Sequence, residues 1–342
     1  MARFKDYVPH GVIPATLAAF DADYRFDWAE TRKHLSFAAD VEGVTAVTIN
    51  GHASEVHACT LDEQTRMMDE SADEIGDRMP LICGVYADGS HIAADIAHMA
   101  DAHGASALLC FPPSSLGMGG IQRRPEMGIA HMKMIADATD LPMIVFQYGN
   151  ELAYPLDTLV QICEEVPNVM AIKDWSTPQV HDRHIKTLHS LPRRINVLST
   201  NSAWLMSSLV MGTDGLLSGA GSVIADLQVA LFRAVQAQDL ATAQKLADRI
   251  YHTTQVFYCD PFGDMHNRMK EALVLLGRLD GPAVVRPPLM KLTETEIARI
   301  AEAMSLAGIS RDGAEEIGPT VLAAEKNDEC AHARALSTPL RQ

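Results

Sequence analysis

The residue best suited to covalent chemistry is Lys173, which ends the apolar run Val169-Met170-Ala171-Ile172. Read as a strand buried on both faces, this run places one amine at its carboxyl end. Burial disfavours an ammonium ion and lowers its pKa. A neutral amine attacks carbonyl carbon and forms an imine, which is nucleophilic catalysis by lysine. The local pattern also fits a lysine that opens a loop and pairs with a carboxylate.

Other groups able to do chemistry stand at the ends of similar runs. They include Asn50-Gly51-His52-Ala53-Ser54-Glu55, Phe111-Pro112-Pro113-Ser114-Ser115 and Phe146-Gln147-Tyr148-Gly149-Asn150. Ser199-Thr200-Asn201 and Ser218-Gly219-Ala220-Gly221 end two more. The set holds one amine, a nearby phenol and several small residues that leave backbone amides accessible. Gly51 to Ser54 reads either as a plain turn or as a concave nest of amides for a carboxylate. Tyr148 reads as an ordinary strand-end aromatic or as a proton relay beside an imine-forming lysine. Ser218 and Gly219 read as a flexible loop or as a rim that leaves room for substrate. His52, Glu55 and His57 have a weak metal-ligand spacing, which does not make a metal site the expectation.

The elements that must position these groups alternate along the chain. Apolar runs at 11–20, 43–50, 80–87, 106–113, 142–148, 169–175, 195–201 and 214–222 read as strands. Amphipathic stretches at 27–41, 60–78, 90–103, 125–139, 156–166, 178–191, 203–211 and 224–237 read as helices. Thr60-Leu61-Asp62-Glu63 has the form of a capping box. Eight strand–helix units predict parallel strands with right-handed crossovers, closed as a (β/α)8 barrel over 8–237. An open doubly wound sheet is the rival, but no run leads into a Gly-x-Gly-x-x-Gly turn. In such a barrel the reactive groups sit at the carboxyl ends of the strands. After residue 238 the pattern turns helical (240–258, 264–276, 293–307) and shows no strand, so 238–309 is expected to form a C-terminal helical domain. Residues 310–342, poor in apolar periodicity, are expected to form a mobile tail.

Composition sets outer limits. Among 342 residues, 47% are hydrophobic, enough for a large core, and the formal net charge is −16. Such an acidic surface argues against nucleic acid as a partner. The six cysteines form no Cys-x-x-Cys pair, which fits reduced thiols in a cytosolic protein. The first residues lead into no apolar signal core, and no stretch reaches the ~20 apolar residues of a membrane span. A cytoplasmic protein without membrane partner is therefore expected.

The segments Gly11-Val12-Ile13-Pro14-Ala15-Thr16, Gly51 to Glu63, Ala171-Ile172-Lys173-Asp174 and Val285-Arg286-Pro287-Pro288-Leu289 resemble the dihydrodipicolinate synthase/N-acetylneuraminate lyase family of class I aldolases. The resemblance runs from about residue 8 to 305. It implies a barrel with a C-terminal helical domain, usually a homotetramer, in which Lys173 forms a Schiff base with pyruvate or a related 2-keto acid. It calls for no cofactor. Two departures stand out. The family's Gly-x-x-Gly-Glu motif, commonly with two hydroxyl residues, here reads Gly51-His52-Ala53-Ser54-Glu55. The family tyrosine falls on Phe146, with Tyr148 two residues on and therefore on the same strand face. An arginine that the family's synthases carry after the fifth strand is absent from 149–153, which argues against a role in lysine biosynthesis.

The expected activity is a lyase, an aldolase or dehydratase acting on a 2-keto acid. Lys173 is the expected nucleophile and Tyr148 the acid/base. Gly51, His52, Ala53 and Ser54 are expected to hold the carboxylate, with Phe146, Asn201, Ser218 and Gly219 along the rest of the substrate. The alternatives are a catalytically impaired keto-acid-binding paralogue and a 4-hydroxy-tetrahydrodipicolinate synthase.

Overall fold

The computed structural model describes residues 4 and 6–315. The chain alternates from the start: β1 (Gly11–Pro14), α1 (Trp28–Asp40), β2 (Val47–Ile49), α2 (Leu61–Glu74), β3 (Leu81–Val85), α3 (Ser90–Ala102) and β4 (Ala107–Cys110). It continues through the short α4 (Gly120–Arg123), α5 (Pro125–Ala136), β5 (Met143–Gln147), α6 (Leu156–Glu165), β6 (Val169–Asp174), α7 (Pro178–His189), β7 (Asn196–Ser199), α8 (Leu205–Val210), β8 (Gly215–Ser218) and α9 (Gly221–Gln236). Strands β2 to β8 pair in sequence, each parallel to the next, and β8 pairs with β1. Bridges Val12–Val44 and Ala15–Thr48 bring β1 to β2. The result is the (β/α)8 barrel expected from the alternation.

Local chemistry explains the boundaries. Thr60 caps α2 through its hydroxyl while Glu63 returns a carboxylate to the Thr60 amide, the reciprocal pair its spacing predicts. Asp27 caps α1 by accepting from the Glu30 amide. β6 is buried along its length apart from half-buried Met170, as a strand covered on both faces must be.

Two details depart from the sequence reading. The stretch 203–211 is not one helix: a 3₁₀ turn, Ser202–Trp204, precedes α8, and Trp204 breaks the helical dihedrals at φ −142°, ψ 38°. After the barrel come α10 (Leu240–Phe257), α11 (Met265–Leu275) and α12 (Glu294–Leu306), with α10 packed on α9 and α12. A two-stranded hairpin, β9 (Ile309–Ser310) with β10 (Gly313–Ala314), follows where no strand was expected. The Arg278 guanidinium holds it by donating to the Ser310 and Arg311 carbonyls at 2.8 and 3.1 Å. The rest of the expected tail, 316–342, lies outside the described residues.

Candidate active site

Parallel pairing of β5 with β6 sets Phe146 beside Lys173 and Gln147 beside Asp174. Alternation then sends the two pairs to opposite faces of the sheet. Asp174 turns outward to the helices. Its carboxylate accepts from His181 Nδ1 at 2.7 Å and His184 Nδ1 at 2.8 Å, both on α7. Burial would raise its pKa, but these two hydrogen bonds bring it down to about 2. The neighbouring Lys173 turns inward, with Nζ 4.2 Å from the centroid of the Phe146 ring. Its side chain is 8% exposed, and among the described residues no carboxylate pairs with it. Burial alone lowers its pKa from 10.5 to about 7. The ion-paired loop lysine allowed by the local pattern is therefore not what the fold builds.

Tyr148 leaves β5 on the same side as Phe146, their rings 4.3 Å apart. Its hydroxyl shares a 2.6 Å hydrogen bond with His52 Nε2. The imidazole also meets the edge or face of Phe111 at 4.7 Å and of Tyr86 at 5.4 Å. Burial first, then the nearby Lys173 and His57, lower the His52 pKa to about 3, so the ring is neutral near pH 7. Burial likewise pushes the Tyr148 phenol well above its ordinary value. The pair is thus two neutral groups sharing one proton-bearing contact.

His52 opens a 3₁₀ turn, His52–Ser54, and Glu55 follows in the left-handed region at φ 56°. The first amides of such a turn have no acceptor within it. Behind the turn, Ser54 Oγ donates to the Gly51 carbonyl at 3.1 Å. The turn is anchored through Glu55, which is buried. Its carboxylate accepts from Lys270 Nζ on α11 at 2.5 Å and from the Arg286 amide at 2.8 Å. Lys270 Nζ also donates to the Val284 carbonyl at 2.7 Å. The C-terminal helices therefore hold the β2 loop in place. The same contacts occupy the Glu55 carboxylate that a metal reading of His52, Glu55 and His57 would need. Among the described residues no group of three His, Cys, Asp or Glu is placed to hold a metal ion.

These groups surround a cavity of about 160 Å³ at the carboxyl ends of the strands. Of the residues singled out from sequence, Gly51, His52, Ala53, Phe146, Tyr148, Lys173, Asn201 and Gly219 line it. Ser54 and Ser218 do not. Ser54 is spent on the turn, and the Ser218 hydroxyl lies 3.3 Å from Ser202 Oγ, which in turn donates to the Tyr258 hydroxyl at 3.0 Å. Ser218 thus buttresses the wall from behind. Asn201 is half committed, since its Nδ2 donates to the Asp174 carbonyl at 3.2 Å.

The sequence reading gave no substrate role to the rest of the wall. Trp175, Thr200, Trp204, Tyr258, Phe262, Met265 and His266 line the cavity. Trp175 and Phe262 stack at 5.1 Å with planes 7° apart. Trp175 and Thr200 were legible, because each sits beside a residue already singled out. Tyr258, Phe262, Met265 and His266 come from the C-terminal helices, and no local pattern aims those helices at the barrel mouth.

Comparison with known proteins agrees with this architecture. A sequence model of the dihydrodipicolinate synthetase family matches residues 8–307. The chain is 27% identical, over 87% of its length and 93% of the other, to a 4-hydroxy-tetrahydrodipicolinate synthase of Kineococcus radiotolerans. It is 26% identical, over 89% and 95%, to a probable 5-dehydro-4-deoxyglucarate dehydratase of Bradyrhizobium sp.. Among solved structures, a dihydrodipicolinate synthase from Bacillus anthracis superposes with a TM-score of 0.77 at 25% identity, covering 89% of this chain and 99% of that one. A prophage protein of the dihydrodipicolinic acid synthase family from E. coli K12, solved in complex with pyruvate, superposes with a TM-score of 0.79 at 21% identity, covering 87% and 98%.

Proposed function

The chain belongs to the dihydrodipicolinate synthetase family, and we propose that it is a lyase in which Lys173 forms a Schiff base with pyruvate or a related 2-keto acid. The observation that carries this reading is a buried amine with no carboxylate partner among the described residues, facing a cavity at the strand ends. An amine with a pKa of about 7 is neutral in half its copies at neutral pH. It attacks the keto carbon, and loss of water from the carbinolamine gives the imine. The Tyr148–His52 pair moves the protons these steps require. The turn at Gly51, His52 and Ala53 faces the substrate carboxylate with its amides. Asn201 and Gly219 stand toward the rest of the substrate, and the Phe146 ring keeps the amine desolvated.

The wall away from Lys173 argues about the second carbonyl compound. Trp175, Trp204 and Phe262 present apolar surface, and Lys173 is the only lysine or arginine lining the cavity among the described residues. The hydroxyls of Tyr258, Ser202 and Ser218 are already engaged with one another. Such a wall favours an aldehyde or ketone without a second carboxylate. This speaks against 4-hydroxy-tetrahydrodipicolinate synthesis as the reaction of this chain. The impaired-paralogue reading draws on Phe146 in the family tyrosine position.

The homotetramer, the cytoplasmic location and the division into a barrel over 8–237 and a helical domain over 238–309 remain proposals, the first two resting on resemblance and composition. No described helix is long and apolar enough to cross a membrane.

The test is reductive trapping. Incubation with pyruvate and borohydride is expected to add one reduced adduct, mapped by mass spectrometry to the peptide containing Lys173 and lost in Lys173→Ala. Equal labelling of the variant would overturn the assignment. Turnover of any 2-keto acid disposes of the impaired-paralogue reading.

A further inference from the structure

We infer that His266 is a second proton-transfer residue of the site, acting on the oxygen at carbon 4 of a 4-hydroxy-2-keto acid held on Lys173. The inference rests on the Schiff-base reading above and adds to it a group for the far end of the substrate.

His266 lies at the start of α11 and lines the same cavity as Lys173. Among the described residues no group hydrogen-bonds its ring. This sets it apart from His52, which is paired with Tyr148, and from His181 and His184, which are paired with Asp174. A half-buried imidazole without a protein partner, open to a cavity, is placed to serve a ligand.

The fold makes room for this ring. A Cβ at position 219 would stand 2.8 Å from His266 Nε2 and 3.1 Å from its Cδ2. The Gly219 backbone is not in the left-handed region, so conformational strain does not call for glycine there. The imidazole does. Gly219 follows β8, which lies on the opposite side of β6 from β5. His266 therefore meets the cavity beside the β8 end, whereas Tyr148 enters from the β5 end. Burial first, then the nearby His52 and Lys173, hold its pKa well below the ordinary histidine value. The ring is thus neutral, with a lone pair on one nitrogen.

The step balances within the site. With the keto carbon of a 4-hydroxy-2-keto acid joined to Lys173 as a protonated imine, the bond between carbons 3 and 4 breaks. Its electron pair forms the double bond between carbons 2 and 3, and the imine π pair moves to nitrogen, giving an enamine. The hydroxyl on carbon 4 becomes a carbonyl as its proton passes to His266 Nε2. In the condensation direction His266 returns that proton to the new hydroxyl. The Tyr148–His52 pair is left to serve the imine and carbon 3.

Three measurements on the full chain test the assignment: borohydride trapping of pyruvate, exchange of the pyruvate methyl protons with D₂O, and cleavage of a panel of 4-hydroxy-2-keto acids with aliphatic and aryl groups at carbon 4. In His266→Gln and in His266→Phe, trapping and exchange are expected to stay within about twofold of the parent. Cleavage is expected to fall by about 10²–10⁴, the range of a lost general base. Cleavage within threefold of the parent in both variants overturns the inference alone. So does exchange that falls as far as cleavage, which marks a structural role. A parent that traps pyruvate yet cleaves no member of the panel also overturns it. A parent that traps nothing overturns the Schiff-base reading and this inference together.

Discussion

The Tyr148 hydroxyl and His52 Nε2 stand 2.6 Å apart, although the two residues come from strand ends three places apart in the barrel, β5 and the loop after β2. In the proposed mechanism this contact accounts for both departures from the family pattern at once. With phenylalanine at 146, the phenol two residues further on is the one that reaches the cavity. With histidine at 52, the loop supplies that phenol with a neutral partner. In the mechanism proposed above, one coupled pair stands in for the loop hydroxyls and the strand tyrosine of the family pattern.

Tyr148→Phe is expected to lower kcat by about 10²–10⁴ while leaving the trapped Lys173 adduct detectable, because it removes a proton relay and not the nucleophile. His52→Phe should act in the same direction, since it strips the phenol of its partner. Single-turnover kinetics beside a trapping assay separate the two effects. A variant with parental kcat would remove the pair from the mechanism.

Lys173 couples the site to pH. Imine formation is expected to rise about tenfold per pH unit below 7 and level off above it, following the neutral amine. The same burial makes the charge a burden on the fold. Unfolded, the amine titrates near 10.5; folded, near 7. Between these values the unfolded chain binds more protons, so this residue makes stability rise with pH. Below pH 7 its full penalty is present, about 2–5 kcal/mol. Lys173→Met should therefore raise the melting temperature at pH 6 and lose most of that advantage by pH 10. A variant that melts at or below the parent at pH 6 contradicts this.

The Glu55–Lys270 pair joins the loop after β2 to α11. Lys270→Met leaves a buried carboxylate without its cation and is expected to cost about 3–5 kcal/mol, whereas Glu55→Gln/Lys270→Met should recover much of it. Chemical denaturation of the single and double variants measures the difference. Equal stability of all three would show that the pair carries no coupling.

Asp174 contributes where acid is concerned. Its pKa of about 2 lies below the ordinary 3.8, so the unfolded chain binds more protons between these values. Its contribution is complete above pH 3.8 and is lost as pH falls through 2. Asp174→Ala orphans two buried imidazole N–H groups, at about 1–3 kcal/mol each. It should also slow imine formation by loosening the end of β6. Denaturation at pH 7 with parental stability would show that α7 tolerates the loss.

Much of this protein was legible in its sequence. The eightfold alternation of apolar runs and amphipathic stretches, with Thr60 and Glu63 marking a helix start, determined the barrel, because these signals act within one or two turns of chain. The barrel in turn determined which residues share an end, and so brought Lys173 together with Gly51, Tyr148 and Asn201. Only the tertiary structure decided the partners. Glu55 meets Lys270 across 215 residues and His52 meets Tyr148 across 96, while Ser54 and Ser218, which looked like substrate ligands, turn away to hold the wall. His266 and the Trp175–Phe262 stack depend on how α10 and α11 fold back over the barrel mouth. That docking comes from burial of apolar surface, which has no direction or period in sequence; hydrogen-bond partners are chosen only once it has brought the groups within reach.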